Sequence, residues 1–295
     1  MSYDLNELKK LYENGGNIIE HFRGKSGGKE NDVEQVMLSY EFQSGADIRT
    51  IEHFDIKKSL GRLVEVILSR SISGSLLDAG TGEATSLVPL LSLLPPEQFR
   101  EVCAFDVSWS RIKTAKKYSA EQNCHGIQFF TGDFFNIPVV DNYFDLVLTM
   151  ASIESNGGKE KEILQELYRV CKKYMILIEP CYEFAGEEAR KRMLKYGYVT
   201  KLLQTAKELN YNVEMYELYG IDYNELNPMG LMIIRKDGEN LPVSGSPFAD
   251  PQSKKPMERH GDSFYCPDSM LAYPIIQSIP CLQKQNAVVA TKYLD

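Results

Sequence analysis

Long apolar runs are missing from this 295-residue chain. No stretch approaches the roughly 18 residues that a membrane-spanning helix needs, which excludes a helical membrane protein. The opening Met1-Ser2-Tyr3-Asp4 lacks the basic residues and apolar stretch of a secretory signal. Positive charge is in short supply: 33 Lys and Arg against 41 Asp and Glu leave a net charge of -8. That balance argues against a broad attraction to polyanions and leaves only a local basic patch to recognise an RNA, so a nucleic-acid partner is not expected. The densest basic group, Arg190-Lys191-Arg192 with Lys195, follows Glu187-Glu188 and reads as a solvated helix face carrying i,i+4 pairs. The six cysteines are scattered, with no Cys-x-x-Cys, and fit buried free thiols. Four histidines (21, 53, 125 and 260) form no set, so a histidine base requires His21 or His53 to fold over a site. These absences together lead us to expect a cytoplasmic protein with no metal and no membrane partner.

The composition that remains, 43% hydrophobic and 25% charged, suits one large or two modest globular domains. Three parts are expected: a helical extension over 1–70, an α/β domain over 71–238, and a small β-rich appendage over 245–295. In the first, Asn6 to Phe22 has helical apolar spacing, and Asp55 suits the N-cap of a helix through Leu60, Leu63, Val64 and Ile67. The glycine-rich segment from Gly24 to Lys29 has neither a preceding strand nor a phosphate-loop spacing, and reads as a hinge. In the second part, strands are expected near 75–79, 101–106, 127–131, 144–150 and 174–180. Helices are expected at 83–94, 108–122, 159–171 and 184–209. Such alternation predicts a mostly parallel sheet with right-handed crossovers and helices on both faces. Two further segments, Val213 to Tyr219 and Met229 to Arg235, have no helix between them and predict an antiparallel edge.

Asp78-Ala79-Gly80-Thr81-Gly82-Glu83-Ala84, after the apolar Ser75-Leu76-Leu77, reads as a strand, a glycine turn and the first turn of a helix. Glycine lets a nucleotide-like ligand lie against bare backbone. The turn offers Gly80-x-Gly82-x-x-Thr85, so the third glycine of a dinucleotide-binding fingerprint is missing. Two more strands also end in acids, at Asp106 and Asp133.

This sequence of strand-end acids resembles the class I S-adenosylmethionine-dependent methyltransferases, over about residues 70 to 238. The resemblance implies a Rossmann-like, seven-stranded, mostly parallel sheet with an antiparallel last strand, and S-adenosyl-L-methionine as cofactor. It places the methionine part against Asp78, Gly80, Thr81 and Gly82. The ribose hydroxyls fall to Asp106 beside Val107, the adenine to Asp133 and Phe134, and Thr149 lies at the end of the fourth strand. In that family the cofactor carries the reactive group, so no catalytic dyad is required.

The tail resembles a second family, the small zinc-ribbon proteins that include the activating subunit of tRNA and translation-factor methyltransferases. The resemblance rests on Asp250-Pro251-Gln252-Ser253 and on Leu271-Ala272-Tyr273-Pro274-Ile275, followed by Ile279-Pro280. Asp250 and Ser253 replace the first cysteine pair, and Cys266 is the one thiolate left, short of the four ligands of structural zinc. A metal-free ribbon is expected, held by Phe248, Phe264, Tyr265, Leu271, Tyr273, Ile275 and Ile279. About 50 residues bury little core alone, so the tail is expected to dock on the methyltransferase domain.

An acceptor belongs beyond the carboxyl ends of the strands, near Ser152 and Glu154 after the fourth and Glu179 at the end of the fifth. Glu154 and Glu179 are candidates to orient or deprotonate an amine, or are strand-end carboxylates facing water. Tyr40, Phe42 and Gln43 are candidates for a lid contacting cofactor or acceptor, or are ordinary core beside Val33, Val36 and Met37. The Asn/Asp-Pro-Pro-aromatic segment of enzymes that methylate adenine or glutamine amines is absent after the fourth strand, where Thr149-Met150-Ala151-Ser152 stands. The expected function is therefore N- or O-methylation of a small molecule or short peptide, in specialised metabolism. The alternatives are a tRNA or translation-factor methyltransferase with a fused activator-like tail, and a non-catalytic methyltransferase-like scaffold.

Overall fold

The computed structural model describes residues 3–26, 31–51, 55–220, 226–237 and 245–295. The chain opens with five helices: α1 (Leu5–Glu13), α2 (Ile18–Ser26), α3 (Val33–Gln43), α4 (Ala46–Ile51) and α5 (Ile56–Ser69). The single helix expected over Asn6 to Phe22 is two, because the Gly15-Gly16 turn, with Gly15 at φ 78°, interrupts it. Asp55 caps α5 as expected, accepting from Lys58 N at 3.1 Å. His53 and residues 27–29 of the expected hinge lie outside the described residues, and Gly24 to Ser26 belong to the last turn of α2 rather than to a loop.

Seven strands follow: β1 (Gly74–Ala79), β2 (Phe99–Asp106), β3 (Ile127–Thr131), β4 (Phe144–Met150), β5 (Cys171–Pro180), β6 (Asn212–Leu218) and β7 (Met229–Arg235). They form one sheet in the order β3-β2-β1-β4-β5-β7-β6, with β7 antiparallel to both of its neighbours and β1 to β5 parallel. The Rossmann-like α/β fold read from the sequence is the fold observed. Connecting helices are α6 (Leu87–Leu93), α7 (Trp109–Glu121), α8 (Glu160–Val170), α9 (Glu187–Tyr196) and α10 (Leu202–Glu208).

Two expected helices differ from those observed. The one expected over 83–94 begins only at Leu87, since Ala84 takes a left-handed φ of 59° and extends the glycine turn. The one expected over 184–209 is split. Gly197, in left-handed conformation at the C-terminus of α9, ends that helix, and Gly197 O and Val199 N then pair with the loop after β4.

The side-chain period of two puts adjacent residues of each strand on opposite faces. Leu76, Ala104, Leu146 and Ile176 pack with α5, α6 and α7, whereas Leu77, Phe105, Val147 and Leu177 pack with α8 and α10. No helix lies between β3 and β4. The space beside Phe105 and Phe130 is filled instead by the tail, with strands β8 (Glu258–His260), β9 (Ser263–Cys266), β10 (Leu271–Ile276), β11 (Ile279–Pro280) and β12 (Val288–Val289). Phe248 stands edge-on to Phe130 at 5.1 Å and to Phe264 at 4.9 Å. The tail also pairs with the free edge of β3: Leu282 N donates to Thr131 O at 3.1 Å. An exposed sheet edge is thereby covered.

Of the seven residues expected to hold the tail, Leu271 and Ile275 are only half-buried and the other five are buried. Asp250, which the sequence resemblance set in place of a ribbon cysteine, accepts from Tyr273 OH at 2.6 Å and from Ser253 Oγ at 2.5 Å. Ser253 Oγ stands 3.9 Å from Cys266 Sγ. Among the described residues, no three His, Cys, Asp or Glu side chains gather to hold a metal.

Candidate functional site

In the order β3-β2-β1-β4, the chain runs outward from β1 in both directions, and a crevice opens where the order reverses. A cavity of about 530 Å³ lies there, walled by the carboxyl ends of β1, β2 and β4, the loop after β3, and α3 and α4. Its size falls within the roughly 300–1,000 Å³ usual for small-molecule sites.

The floor is the glycine turn. Gly80 N and Thr81 N donate to Phe105 O at 2.9 and 2.8 Å, which bends the chain across β2. Gly80 has φ 75°, and a Cβ there would sit 2.5 Å from Ser152 Cβ and 2.8 Å from Phe134 Cζ. Only glycine fits between those side chains. At the end of β2, Asp106 accepts from Ser108 N at 2.9 Å through Oδ1 and from Gly82 N at 3.1 Å through Oδ2. Each oxygen has a further lone pair, and Asp106 lines the cavity. Burial pushes its carboxyl above the usual range, and the neighbouring Arg111 guanidinium opposes that. Asp133 accepts from Phe135 N and Asn136 N at 2.8 and 2.9 Å, both through Oδ1. Phe134 packs edge-on to Phe105 at 5.4 Å and lines the cavity beside it.

Of the residues expected from the sequence, the cavity brings together Tyr40, Gln43, Gly80, Thr81, Gly82, Asp106, Val107, Asp133, Phe134, Ser152 and Glu154. Asp78, Thr149, Glu179 and Phe42 are not among its lining residues. Asp78 is buried behind the turn, and desolvation pushes its carboxyl up to about 6. Thr149 is fully buried within β4. Phe42 packs on the other side of α3 with Leu8, Ile18, Phe22 and Leu38, in a small core of the helical extension. Glu179 points at the backbone after β4. It accepts from Ser152 N at 3.1 Å and from Ile153 N at 3.3 Å, in a bend where Ala151 takes φ 50°. Desolvation pushes its carboxyl up to about 8. Glu179 therefore shapes the loop that carries Ser152 and Glu154.

Glu154 does face the cavity. Its carboxylate meets Asn227 Nδ2 at 3.4 Å, and burial pushes its pKa up. Tyr40 OH lies 3.3 Å from Ser155 Oγ, and burial, reinforced by the Glu154 charge, holds the phenol protonated. None of the described histidines lines the cavity.

The sequence reading missed the residues that close the roof. Arg111, from the first turn of α7, forms an ion pair with Asp47 of α4 and lies 5.0 Å from the Tyr40 ring centroid. Glu83, in the glycine turn, is fully buried and accepts from Gly45 N and Ile48 N at the start of α4. In return, Glu41 of α3 accepts from Ser108 Oγ at 2.5 Å and from Ser110 N and Oγ at the start of α7. Each half thus caps a helix of the other, placing negative charge at a positive helix end. Asn31 adds a third tie, donating to Ser155 O and Tyr196 O at 2.8 and 3.2 Å. Glu83 sits inside the glycine-turn motif, but nothing in a one-dimensional pattern says that its partner is about 35 residues upstream.

The tail reaches the same site from below. Gln283 Nε2 donates to Val107 O at 3.0 Å, and Lys254 Nζ meets Glu166 at 2.9 Å beside the Asp133 loop. Glu166 in turn accepts from Ile137 N at 2.9 Å.

Residues 76–174, about a third of the chain, match the family model described as a methyltransferase domain. No curated protein matches significantly. Among solved structures, the chain is similar to magnesium protoporphyrin IX methyltransferase from Synechocystis, a structure with bound S-adenosylhomocysteine (SAH). The identity is 12% and the TM-score 0.49, over 79% of this chain and all of that one. It is similar to a SAM-dependent methyltransferase from Aquifex aeolicus at 20% identity and a TM-score of 0.46, over 62% of this chain and 98% of that one. It is similar also to the [4+2]-cyclase SpnF at 18% identity and a TM-score of 0.47, over 59% and 80%. Likenesses of this order identify neither an acceptor nor a reaction for this chain.

Proposed function

We propose that this chain is an S-adenosyl-L-methionine-dependent methyltransferase that acts on a small acceptor enclosed beneath α3 and α4. The observation that carries the reading is Asp106. Its two oxygens are held by the Gly82 and Ser108 amides and line the cavity beside a turn that only glycine can form. The match of residues 76–174 to the methyltransferase domain model covers this turn, Asp106 and Asp133.

The residues present fit such a cofactor. Asp106 has lone pairs for two ribose hydroxyls, and the bare backbone of Gly80 and Gly82 leaves room for the methionine part. Asp133 Oδ2 is left to accept from the adenine amino group, with Phe134 against the ring. When bound, the cofactor supplies an electrophilic methyl group on a sulfonium. The protein's own contribution is position and exclusion of water. Ser152, held by Glu179, walls the cavity opposite Gly80, and the Tyr40–Arg111–Asp47 group closes it from above. An acceptor within about 3 Å of the methyl carbon then loses little further freedom on reacting.

Among the described residues, the enclosed site is lined by four carboxylates and one cation, Arg111, which suits a small acceptor rather than a polyanion. Calorimetric titration with S-adenosylmethionine and SAH tests the cofactor, and a transfer screen of small molecules against tRNA tests the acceptor class. Saturable one-to-one binding of both nucleosides is expected; absence of binding refutes the proposal, and transfer to tRNA alone refutes the small acceptor.

A further inference from the structure

We infer that the acceptor is a small amine with an apolar body, whose nitrogen is received by Glu154; the inference rests on the methyltransferase reading above. Among the described residues, the cavity is lined by Asp47, Asp106, Asp133 and Glu154, and by a single cation, Arg111. Arg111 is bound to Asp47, and Asp106 and Asp133 are each held by two backbone amides in the positions taken by ribose and adenine. Glu154 is the carboxylate left over.

Among the described residues, no cation touches Glu154 directly; the nearest positive charge, Arg192, reaches it through the Tyr198 hydroxyl. Asn227 Nδ2, at 3.4 Å, is a neutral donor, as is the Tyr198 hydroxyl. Arg192 of α9 forms no ion pair with it within 4.0 Å among the described residues. Its guanidinium lies against the Tyr196 and Tyr198 rings, 5.3 Å from each centroid, and 3.4 Å from Tyr198 OH. From there it offsets the burial of Glu154 only in part. Tyr40 of α3 and Asp47 of α4 add no positive charge. A half-buried carboxylate with no cation in direct contact is stabilised in its charged form when a ligand brings one. Val33, Val36, Ile51, Ile56 and Met229 line the same cavity and offer an apolar body its burial.

The chemistry closes on the same residue. An ammonium is no nucleophile, and one proton must leave it before transfer. A Glu154 oxygen takes that proton, and the nitrogen lone pair then forms the N–C bond while the C–S bond breaks with its electron pair retained by sulfur. The methylated product leaves as an ammonium ion, and Glu154 returns its proton to water.

Fragment binding to the full-length protein saturated with SAH tests this without requiring the natural acceptor. The probes are matched skeletons: 2-phenylethylamine and hexylamine, the corresponding alcohols, and 3-phenylpropionate and heptanoate, read by ligand-observed NMR. Both amines are expected to bind, the carboxylates not at all, and E154Q to weaken the amines about ten-fold or more while leaving SAH affinity within about two-fold. Calorimetry with SAH establishes that the variant is folded; should E154Q fail to fold, E154D, which withdraws the charge by one methylene, is read in the same way. Failure of both amines to bind, alcohols binding as well as amines, or amine binding indifferent to the variant overturns the inference. A sulfonium role for Glu154 also overturns it, and shows as E154Q weakening S-adenosylmethionine but not SAH. Loss of SAH binding by the wild-type protein refutes the methyltransferase reading instead.

Discussion

Replacing Asp106 by asparagine is the perturbation that separates a ribose-binding carboxylate from a structural one. In the wild-type chain each oxygen accepts one backbone amide, and the proposal gives the remaining lone pair of each to a ribose hydroxyl. A hydrogen bond to a charged group contributes about 1.5–3 kcal/mol, a neutral one about 0.5–1.5 kcal/mol. Asparagine keeps the shape but offers one oxygen, so one ribose hydroxyl meets a donor and the other a neutral acceptor. The expected loss is about 2–4 kcal/mol, or roughly 30-fold to several hundred-fold in Kd. It has two parts, since the side-chain NH2 that D106N introduces also faces either Gly82 N–H or Ser108 N–H. That second part weakens the fold and appears in Tm of the free protein, whereas the ribose part appears only in titration. The decisive measurement is calorimetry with SAH beside its 2′-deoxy analogue. The wild-type protein is expected to bind the deoxy compound at least about ten-fold more weakly, and D106N to discriminate far less. Equal wild-type affinity for the two compounds refutes the ribose assignment, however far Tm moves.

Three further outcomes are expected. G80A forces a Cβ to 2.5 Å from Ser152 Cβ at a φ of 75°, so SAH binding is lost and Tm falls; a variant that binds normally refutes the account of the turn. F248A removes a buried ring between Phe130 and Phe264 and costs about 3–5 kcal/mol, read by chemical denaturation. An unaffected denaturation midpoint with early proteolysis of the tail shows that the tail is not part of the core. Glu179, held up to about 8 when folded against 4.5 ordinarily, binds its proton more tightly in the folded protein. Stability is therefore lost as pH rises from about 5 towards 8, and Asp78, up to about 6, acts in the same direction over the lower part of that range. E179Q is expected to flatten the upper part of the profile, and equal slopes for the two proteins refute the assignment.

Local chemistry made the sheet and the floor of the site legible in one dimension. Apolar runs ending in Asp78, Asp106 and Thr131-Gly132-Asp133 mark strands, because a buried parallel strand must be apolar until it emerges at its carboxyl end. Gly80 and Gly82 mark the turn, because a left-handed backbone and a close approach both call for a residue without Cβ. Tertiary structure decided what surrounds them. Glu179 and Glu154 are both acids at strand ends, yet one faces a backbone bend and the other a cavity, a difference set by the left-handed Ala151 and by the return of Val199 to Glu154 O. Tyr40 and Phe42 are two residues apart on one helix, and only the docking of α3 sends Tyr40 to the cavity and Phe42 to the core of the extension. The Glu83 and Glu41 caps, the Arg111–Asp47 pair and the Phe248–Phe130 contact join residues from about 35 to 120 positions apart. Their spacing obeys no local period, so they exist only once the chain has closed on itself.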